Sequence, residues 1–248
     1  MTPGRLDVTW GDASVGVRLD RPEHHNAIDK RMVNELHAVL GDVEARANRL
    51  LLLTGGDEGM FASGADISEL RDRGRDDALR GINTRLFDRI RALPLPSLAA
   101  IDGPALGGGA ELAYACDLRV ASTRASFGQP EAQLGVMAAA GGCFRLPALV
   151  GDGLARELLF TGGRLSAQEA LGCHLVNRVV APSELLAAAR LMCRTILRSS
   201  LPALRMTKLA LNAPPEAHPS SELAGQAVLF EDSEKRRRMD AFLARSDG

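Results

Sequence analysis

Apolar runs and helical repeats alternate along the first two thirds of the chain. Residues 15–20 indicate a strand, and residues 29–45 carry apolar side chains at the three- and four-residue spacing of a helix. Continuous apolar runs at 49–56 and 97–103 indicate strands covered on both faces, and a further strand is expected at 117–122. This alternation predicts an α/β core with parallel strands and right-handed crossovers.

The pattern changes near residue 182, after which only helical repeats separated by prolines remain. Short helices of this kind cannot bury their apolar faces alone, so they must pack on the core or on another subunit. The sequence therefore predicts two parts, a core over residues 1–195 and a helical C-terminal region over residues 196–248.

Composition narrows the class of protein. The chain has 248 residues, 46% of them hydrophobic, which is enough for a sizeable core. Its 30 basic and 31 acidic residues nearly balance and aromatic residues make up only 4%, so nucleic acid is not an expected partner. Four scattered cysteines and five histidines show no metal-ligand spacing, so no metal is expected. With neither a secretory signal nor an apolar run of about 20 residues, a cytoplasmic protein without a membrane partner is predicted.

The candidate chemistry begins with three glycines, 107–109, that run into Glu111 inside otherwise apolar sequence. Where a strand gives way to a helix, the first backbone N–H groups have no helical partner and attract negative charge. A second helix start of this kind is expected at Ala65, after a Ser-Gly turn. Two such sites that face each other would form an oxyanion hole.

Two glutamates complete the candidate site. Glu111 and Glu131 lie 20 residues apart, and a helix–strand–turn return of that length can bring both carboxyl groups to one pocket. Their titrations would then couple, and the pair could act as acid and base around one water molecule. Taken singly, a glycine run is more often a turn and a helical glutamate usually faces solvent. The glycines match neither a phosphate-binding loop nor a dinucleotide fingerprint.

Taken in order, the segments resemble the enoyl-CoA hydratase/isomerase (crotonase) family over nearly the whole chain. The resemblance is carried by RPEHHNAID (21–29), FASGADISEL (61–70), IDGPALGGGAEL (101–112), FGQPEAQLGV (127–136) and LLFTGGRLSAQEAL (158–171). It implies a crotonase-like spiral of ββα units whose helical C-terminal region serves oligomerisation, as a homotrimer or as a homohexamer built from two trimers.

The resemblance also implies an enoyl-CoA hydratase, which adds water across the C2=C3 bond of a 2-enoyl-CoA to give a 3-hydroxyacyl-CoA. Ala65 and Gly108 match the positions whose backbone N–H groups hold the thioester oxygen. Glu111 matches the residue that deprotonates the attacking water, and Glu131 matches the residue that protonates C2. The implied pathway is fatty acid β-oxidation.

The substrate is then an acyl-CoA, and no separate cofactor is implied because coenzyme A is part of the substrate. Residues expected to line the acyl-CoA channel are Ala65, Asp66, Ile67 and Ser68. The segment around His25 and Ala27 is expected to meet the pantetheine or adenine end of coenzyme A.

The chain departs from the family pattern at Ala138 and Ala139, where a proline and a glycine are usual, and at Ser68, where lysine is frequent. The charged segment 71–81 is expected to form a mobile solvated loop, and the pocket walls are expected from residues 71–95 and the C-terminal helices. Two alternatives stay open. One is another crotonase reaction, such as Δ3–Δ2 enoyl-CoA isomerisation or hydration of a specialised enoyl-CoA. The other is an acyl-CoA-binding scaffold without catalysis.

Overall fold

The computed structural model describes residues 4–12, 14–46, 49–56 and 59–246. The first three residues, part of the stretch considered for a secretory signal, lie outside this set. Among the described residues, no helix has both the length and the apolar character needed to cross a membrane.

Nine strands build two sheets in the described part of the chain: β1 (Leu6–Trp10), β2 (Ser14–Leu19), β3 (Leu50–Thr54), β4 (Ser97–Ile101), β5 (Pro104–Leu106), β6 (Leu118–Ser122), β7 (Ser126–Gly128), β8 (Arg164–Ser166) and β9 (Arg178–Val180). The main sheet has the order β1-β2-β3-β4-β6-β9, and all its neighbours are parallel except β1 and β2. The four strands predicted from apolar runs are confirmed as β2, β3, β4 and β6.

The helices of the described residues are α1 (Lys30–Arg46), α2 (Ile67–Asp72), α3 (Arg75–Arg80), α4 (Ile82–Arg91), α5 (Gly108–Ala115), α6 (Gly142–Val150), α7 (Asp152–Thr161), α8 (Ala167–Gly172), α9 (Leu185–Ile196), α10 (Leu201–Leu211), α11 (Ser220–Glu231) and α12 (Ser233–Ser246). They cover both faces of the main sheet. In β3, Leu51 and Leu53 join the core cluster with α1, α4 and α5, whereas Leu50 and Leu52 join the cluster with α9. Successive strand residues point to opposite faces, so the unbroken apolar run is explained by two covered faces.

The small sheet, of order β5-β7-β8, brings two distant segments together. β5 runs parallel to β7, with Leu106 opposite Gly128, and the N–H of Gly107 donates to the carbonyl of Gly128 at 2.9 Å. The helix α5 starts directly after β5, and Glu131 follows β7 by three residues. This pairing therefore carries both candidate glutamates to the same place.

The prediction of a mobile loop at 71–81 is wrong, because most of this segment is helical. The helix α2 extends to Asp72 and α3 follows at Arg75. The carboxylate of Asp77 accepts a hydrogen bond from the N–H of Gly74 at 3.1 Å, which satisfies a free donor at the start of α3. Gly81, with a φ of 59°, then separates α3 from α4 in the left-handed conformation that glycine adopts readily.

The C-terminal helices start from an anchor on the main sheet. The buried ammonium group of Lys208, on α10, donates to Asp117 at 2.7 Å and to the carbonyl of Leu95 at 3.0 Å. Asp117 also accepts a hydrogen bond from the backbone N–H of Ser97 at 2.7 Å, so it braces the junction between the sheet and α10. The division of the chain at residues 195 and 196 stays a prediction.

Candidate active site

A cavity of about 630 Å³ opens beside the start of α5. Its wall includes Ala65, Gly108, Glu111 and Glu131, so the structure brings the four residues of the predicted chemistry to one space. The remaining wall comes from α2, α3, the start of α4 and residues 130–140. The expectation that C-terminal helices contribute to the wall is wrong for the described part of a single chain, because no residue beyond Ala140 lines the cavity.

The three glycines let α5 approach its neighbours more closely than side chains would allow. A Cβ at Gly109 would lie 2.2 Å from the carbonyl oxygen of Ala62, a distance that no real Cβ adopts. Gly107 has a φ of 50°, and a Cβ there would lie 2.8 Å from Oε1 of Glu131. The glycines therefore set the distance between α5, the segment before α2 and Glu131.

Two backbone N–H groups are free at this contact. No acceptor among the described residues takes a hydrogen bond from the N–H of Ala65 or from that of Gly108. The position of a Cβ on Gly108 lies only 3.3 Å from the nitrogen of Ala65, so the two groups are close neighbours. Such a pair can hold a carbonyl oxygen on which negative charge develops.

Glu111 lies in the first turn of α5 and is only 3% exposed. Its Oε1 accepts hydrogen bonds from the N–H groups of Ala140 and Gly142, both at 2.8 Å. Burial raises the pKa of Glu111 to about 7; the hydrogen bond from Gly142 opposes this shift, and the nearby charge of Glu131 adds to it. A carboxyl group with this pKa can exchange a proton near neutral pH.

Glu131 begins a short 3-10 helix, Glu131–Leu134, and burial raises its pKa as well. The fully buried amide of Gln129, oriented with its NH₂ group toward Glu131, donates to Oε1 at 3.1 Å and to Oε2 at 3.0 Å. The sequence prediction missed this contact of Gln129; the Gly-Gln-Pro turn before Glu131 was its only signal.

The segment of residues 138–142, here called the strap, supplies the two N–H groups that hold Glu111. Arg145 donates to the carbonyl of Ala140 at 2.9 Å and pairs with Asp88 on α4. Thr84, also on α4, donates to the carbonyl of Ala139 at 3.2 Å. The helix α4 therefore fixes the strap. Ala138 is buried, whereas Ala139 lines the cavity.

Two of the predicted channel residues lie on the cavity wall and two do not. Ala65 and Ile67 line the cavity, whereas Asp66 and Ser68 are absent from its wall. Asp66 caps α2 and pairs with Arg21 at 2.7 Å. Hydrogen bonds from the Ser68 hydroxyl and from Arg21 hold the pKa of Asp66 well below its usual range.

The predicted coenzyme A contacts His25 and Ala27 lie beside the segment that leads to α2, and neither lines the cavity. The carbonyl of His25 accepts a hydrogen bond from the N–H of Ser63 at 3.0 Å. The side chain of His25 is exposed, with a backbone φ of 52°.

The described residues hold no group of three His, Cys, Asp or Glu side chains suited to a metal ion. What the cavity combines is a pair of free amides with the buried carboxyl group of Glu111 and the half-buried carboxyl group of Glu131. The amides can stabilise an oxyanion while the carboxyl groups move protons to and from neighbouring atoms. The arrangement is suited to acid–base chemistry beside a carbonyl oxygen.

Comparison with known proteins gives the family. The family model described as enoyl-CoA hydratase/isomerase matches residues 12–247. The chain is 37% identical over 236 residues to the short-chain-enoyl-CoA hydratase of Clostridium acetobutylicum, covering 92% of this chain and 90% of that protein. It is 36% identical to the crotonyl-CoA hydratase of Syntrophomonas wolfei, covering 91% and 89% of the two chains. The chain belongs to the enoyl-CoA hydratase/isomerase family, which confirms the resemblance read from the sequence.

Solved structures agree with this assignment. The crystal structure of enoyl-CoA hydratase from Bacillus anthracis superposes with a TM-score of 0.91 at 31% sequence identity. The match covers 97% of this chain and 96% of that one. The predicted α/β crotonase-like fold is confirmed.

The raised pKa of Glu111 predicts a pH-dependent cost to stability. Its ordinary pKa of 4.5 applies to the unfolded chain, whereas the folded site holds the proton until about pH 7. The protonated carboxyl therefore contributes stability that is fully present below pH 4.5 and is lost as the pH rises to about 7. Across this window, the free energy of unfolding of Glu111→Gln should rise relative to that of the wild type, by about 3 kcal/mol in all.

Urea unfolding of both proteins between about pH 4 and pH 8 measures this difference. The matched control is Glu157→Gln, which changes an exposed glutamate on α7 and should show a constant difference. A constant difference for Glu111→Gln as well would show that burial does not raise its pKa.

Proposed function

We propose that this protein is an enoyl-CoA hydratase that adds water across the C2=C3 bond of a 2-enoyl-CoA thioester to give the 3-hydroxyacyl-CoA. The observation that carries the proposal is the presence of both Glu111 and Glu131 on the wall that also presents the free N–H groups of Ala65 and Gly108. Relatives named short-chain-enoyl-CoA hydratase and crotonyl-CoA hydratase support it.

The first step is addition of water at C3. The N–H groups of Ala65 and Gly108 bind the thioester oxygen and draw electron density toward it. Glu111 takes a proton from the water molecule while the water oxygen bonds to C3. The electron pair of the double bond then moves onto C2, C1 and the thioester oxygen, where the two amides stabilise the enolate.

The second step is protonation at C2. Glu131 donates its proton to C2 as the enolate collapses, which restores the thioester carbonyl. The cycle requires that one carboxyl group of the pair starts ionised and the other protonated. Burial raises both pKa values and the two charges repel each other, so a single shared proton near neutral pH fits this requirement.

We assign the coenzyme A portion to the edge of the cavity near α2, where Ala65 and Ile67 line the wall. His25 and Ala27 lie next to this edge and remain proposed contacts for the pantetheine or adenine end. Asp66 supports the edge by capping α2, and the hydroxyl of Ser68 donates to the carboxylate of Asp66. A cytoplasmic location and a place in β-oxidation stay predictions from the sequence.

Both glutamates should be required for hydration. Glu111→Gln and Glu131→Gln are each expected to lower kcat for crotonyl-CoA by about 10²–10⁴-fold, because each removes one proton-transfer group. The loss of enoyl thioester absorbance measures the rate, and the exposed Glu157→Gln on α7 serves as the matched control. Full hydration by either variant would refute the proposed roles. A wild-type protein that moves the double bond of a 3-enoyl-CoA without hydrating crotonyl-CoA would instead be an isomerase.

The free amides should also be required. Gly108→Ala keeps the backbone N–H but places a methyl group where the oxygen binds, so kcat is expected to fall by about 10²–10³-fold, as on loss of one oxyanion contact. The added methyl group would lie 3.3 Å from the nitrogen of Ala65 and crowd the place where the oxygen binds. Gly153→Ala, in α7, is the control because its Cβ would meet nothing within 4 Å. Unchanged kcat in Gly108→Ala would place the thioester elsewhere.

We further propose that the chain assembles as a homotrimer or homohexamer through α10–α12. Large exposed apolar side chains in this region support the proposal, among them Leu211, Leu223 and Phe230. Sedimentation velocity should give three or six times the mass of one chain, and Leu211→Asp should lower it. Leu79→Asp on α3, at a similarly exposed leucine, should not. A monomer in the wild type would refute the assembly.

A further inference from the structure

A polar residue, Asn83, occupies an apolar position of α4. The buried face of this helix carries Leu86, Phe87 and Ile90, which follow Asn83 at the spacing of three, four and seven residues. A core-facing helix repeats apolar residues at this spacing. The pattern therefore calls for an apolar side chain where the chain has an amide.

The two ends of the Asn83 amide have different surroundings. The oxygen, Oδ1, is buried and has no hydrogen-bond partner among the described residues. The nitrogen, Nδ2, also donates to no acceptor in the described part of the chain, but it is not fully buried, and Asn83 lines the cavity. The NH₂ group is therefore a free donor that a ligand in the cavity can reach.

This free donor lies beside the two free backbone amides. A Cβ on Gly108 would lie 3.3 Å from the nitrogen of Ala65 and 3.7 Å from Nδ2 of Asn83. The backbone nitrogen of Gly108 is bonded to the α-carbon that would carry this Cβ. Three N–H donors from three separate elements, α4, α5 and the segment before α2, therefore surround one place on the cavity wall.

The orientation of the Asn83 amide has a cost to stability. A buried oxygen without a donor is unfavourable, and an apolar side chain of the same size would avoid this cost. The next residue, Thr84, uses its hydroxyl to hold the strap at Ala139, whereas the amide of Asn83 holds no other part of the protein. Departures of this kind from the local sequence pattern occur at functional sites.

A third donor at this place acts on charge that develops during the reaction. A hydrogen bond to an ionised oxygen is roughly twice as strong as a bond between neutral groups. The thioester oxygen is neutral in the substrate and carries the negative charge in the enolate, where it has three lone pairs. It can then accept a hydrogen bond from an amide side chain in addition to the two backbone donors.

On the basis of the proposed function, we propose that Asn83 is a catalytic residue whose Nδ2 donates a third hydrogen bond to the thioester oxygen as the enolate forms. Addition of water at C3 moves the electron pair of the double bond toward this oxygen, where Ala65, Gly108 and Asn83 stabilise it together. Asn83 keeps its proton throughout. The charge leaves the oxygen when Glu131 protonates C2.

The test replaces the amide by an apolar group of the same size. Asn83→Leu should lower both kcat and kcat/KM for crotonyl-CoA by about tenfold or more, because the lost bond is strongest in the transition state. The dissociation constant of butyryl-CoA, a saturated thioester that cannot be hydrated, should change little, since its oxygen stays neutral. The urea midpoint should not fall, because the variant also removes the unpaired buried oxygen.

The matched control is Asn34→Leu, the same substitution at an exposed asparagine in α1, which should leave kcat unchanged. A second variant, Asn83→Asp, keeps the shape of the side chain but offers no donor when ionised. Its negative charge repels the enolate oxygen, so kcat should fall at least as far as in Asn83→Leu. Should Asn83→Leu fail to fold, this variant decides.

The outcomes separate this inference from the proposed function. If the wild type hydrates crotonyl-CoA and the folded Asn83 variants do so equally fast, the role of Asn83 is refuted while the hydratase assignment stands. The role is also refuted if Asn83→Leu weakens butyryl-CoA binding as much as it lowers kcat/KM, because the side chain then only shapes the wall. A wild-type protein that binds butyryl-CoA without hydrating crotonyl-CoA refutes the hydratase assignment, and the inference with it.

Discussion

The site depends on one close contact between two stretches of backbone. The segment Ala62–Ala65 passes directly against the start of α5, where the carbonyl of Ala62 leaves no room for a Cβ on Gly109. The carbonyl of Ala62 also accepts the N–H of Leu106 at 3.0 Å, so the contact is held by main-chain bonds rather than by side chains. Because no side chains intervene, the N–H groups of Ala65 and Gly108 come to the same side of the cavity. Backbone donors of this kind are preorganised, since they belong to packed elements and need no reorganisation when a negative oxygen forms beside them.

The two glutamates place a second requirement on this region, because a carboxyl group must be able to ionise in apolar surroundings. Burial raises the pKa of Glu111 to about 7, because the ionised carboxylate is costly in an apolar setting. The strap moderates this cost with two backbone hydrogen bonds to one carboxylate oxygen, which leaves the other oxygen outside this pair of bonds. The strap is itself tied to α4 through Arg145 and Thr84. The reactivity of Glu111 is therefore set by residues on α4 and α6 as much as by its own helix.

Long patterns were predictable from the sequence and short ones were not. The buried strands such as β3 were found because four consecutive leucines followed by a threonine cannot be mistaken for solvent-facing chain. The three-residue strands β5 and β7 carry no periodicity, although their pairing is what joins Glu111 to Glu131. The helix α3 was missed because its charged residues obscure any apolar stripe, and its ends depend on Gly74 and Gly81. The contact of Gln129 with Glu131 depends on spatial neighbours, which a single sequence does not show.

Two groups of elements build different parts of the cavity wall. The amides and Glu111 belong to the start of α5 and its contact with the segment before α2, so a change there alters the chemistry itself. Residues of α3 and the start of α4 form a separate wall, joined to α5 through packing and through the strap. Gly81 links these two helices in a left-handed turn that directs the first turn of α4, with Asn83, into the cavity. A wall of this kind can change its polar groups without disturbing the backbone contact that positions the two free amides. The groups proposed for hydration can thus stay in place while the side chains of the α3–α4 wall vary.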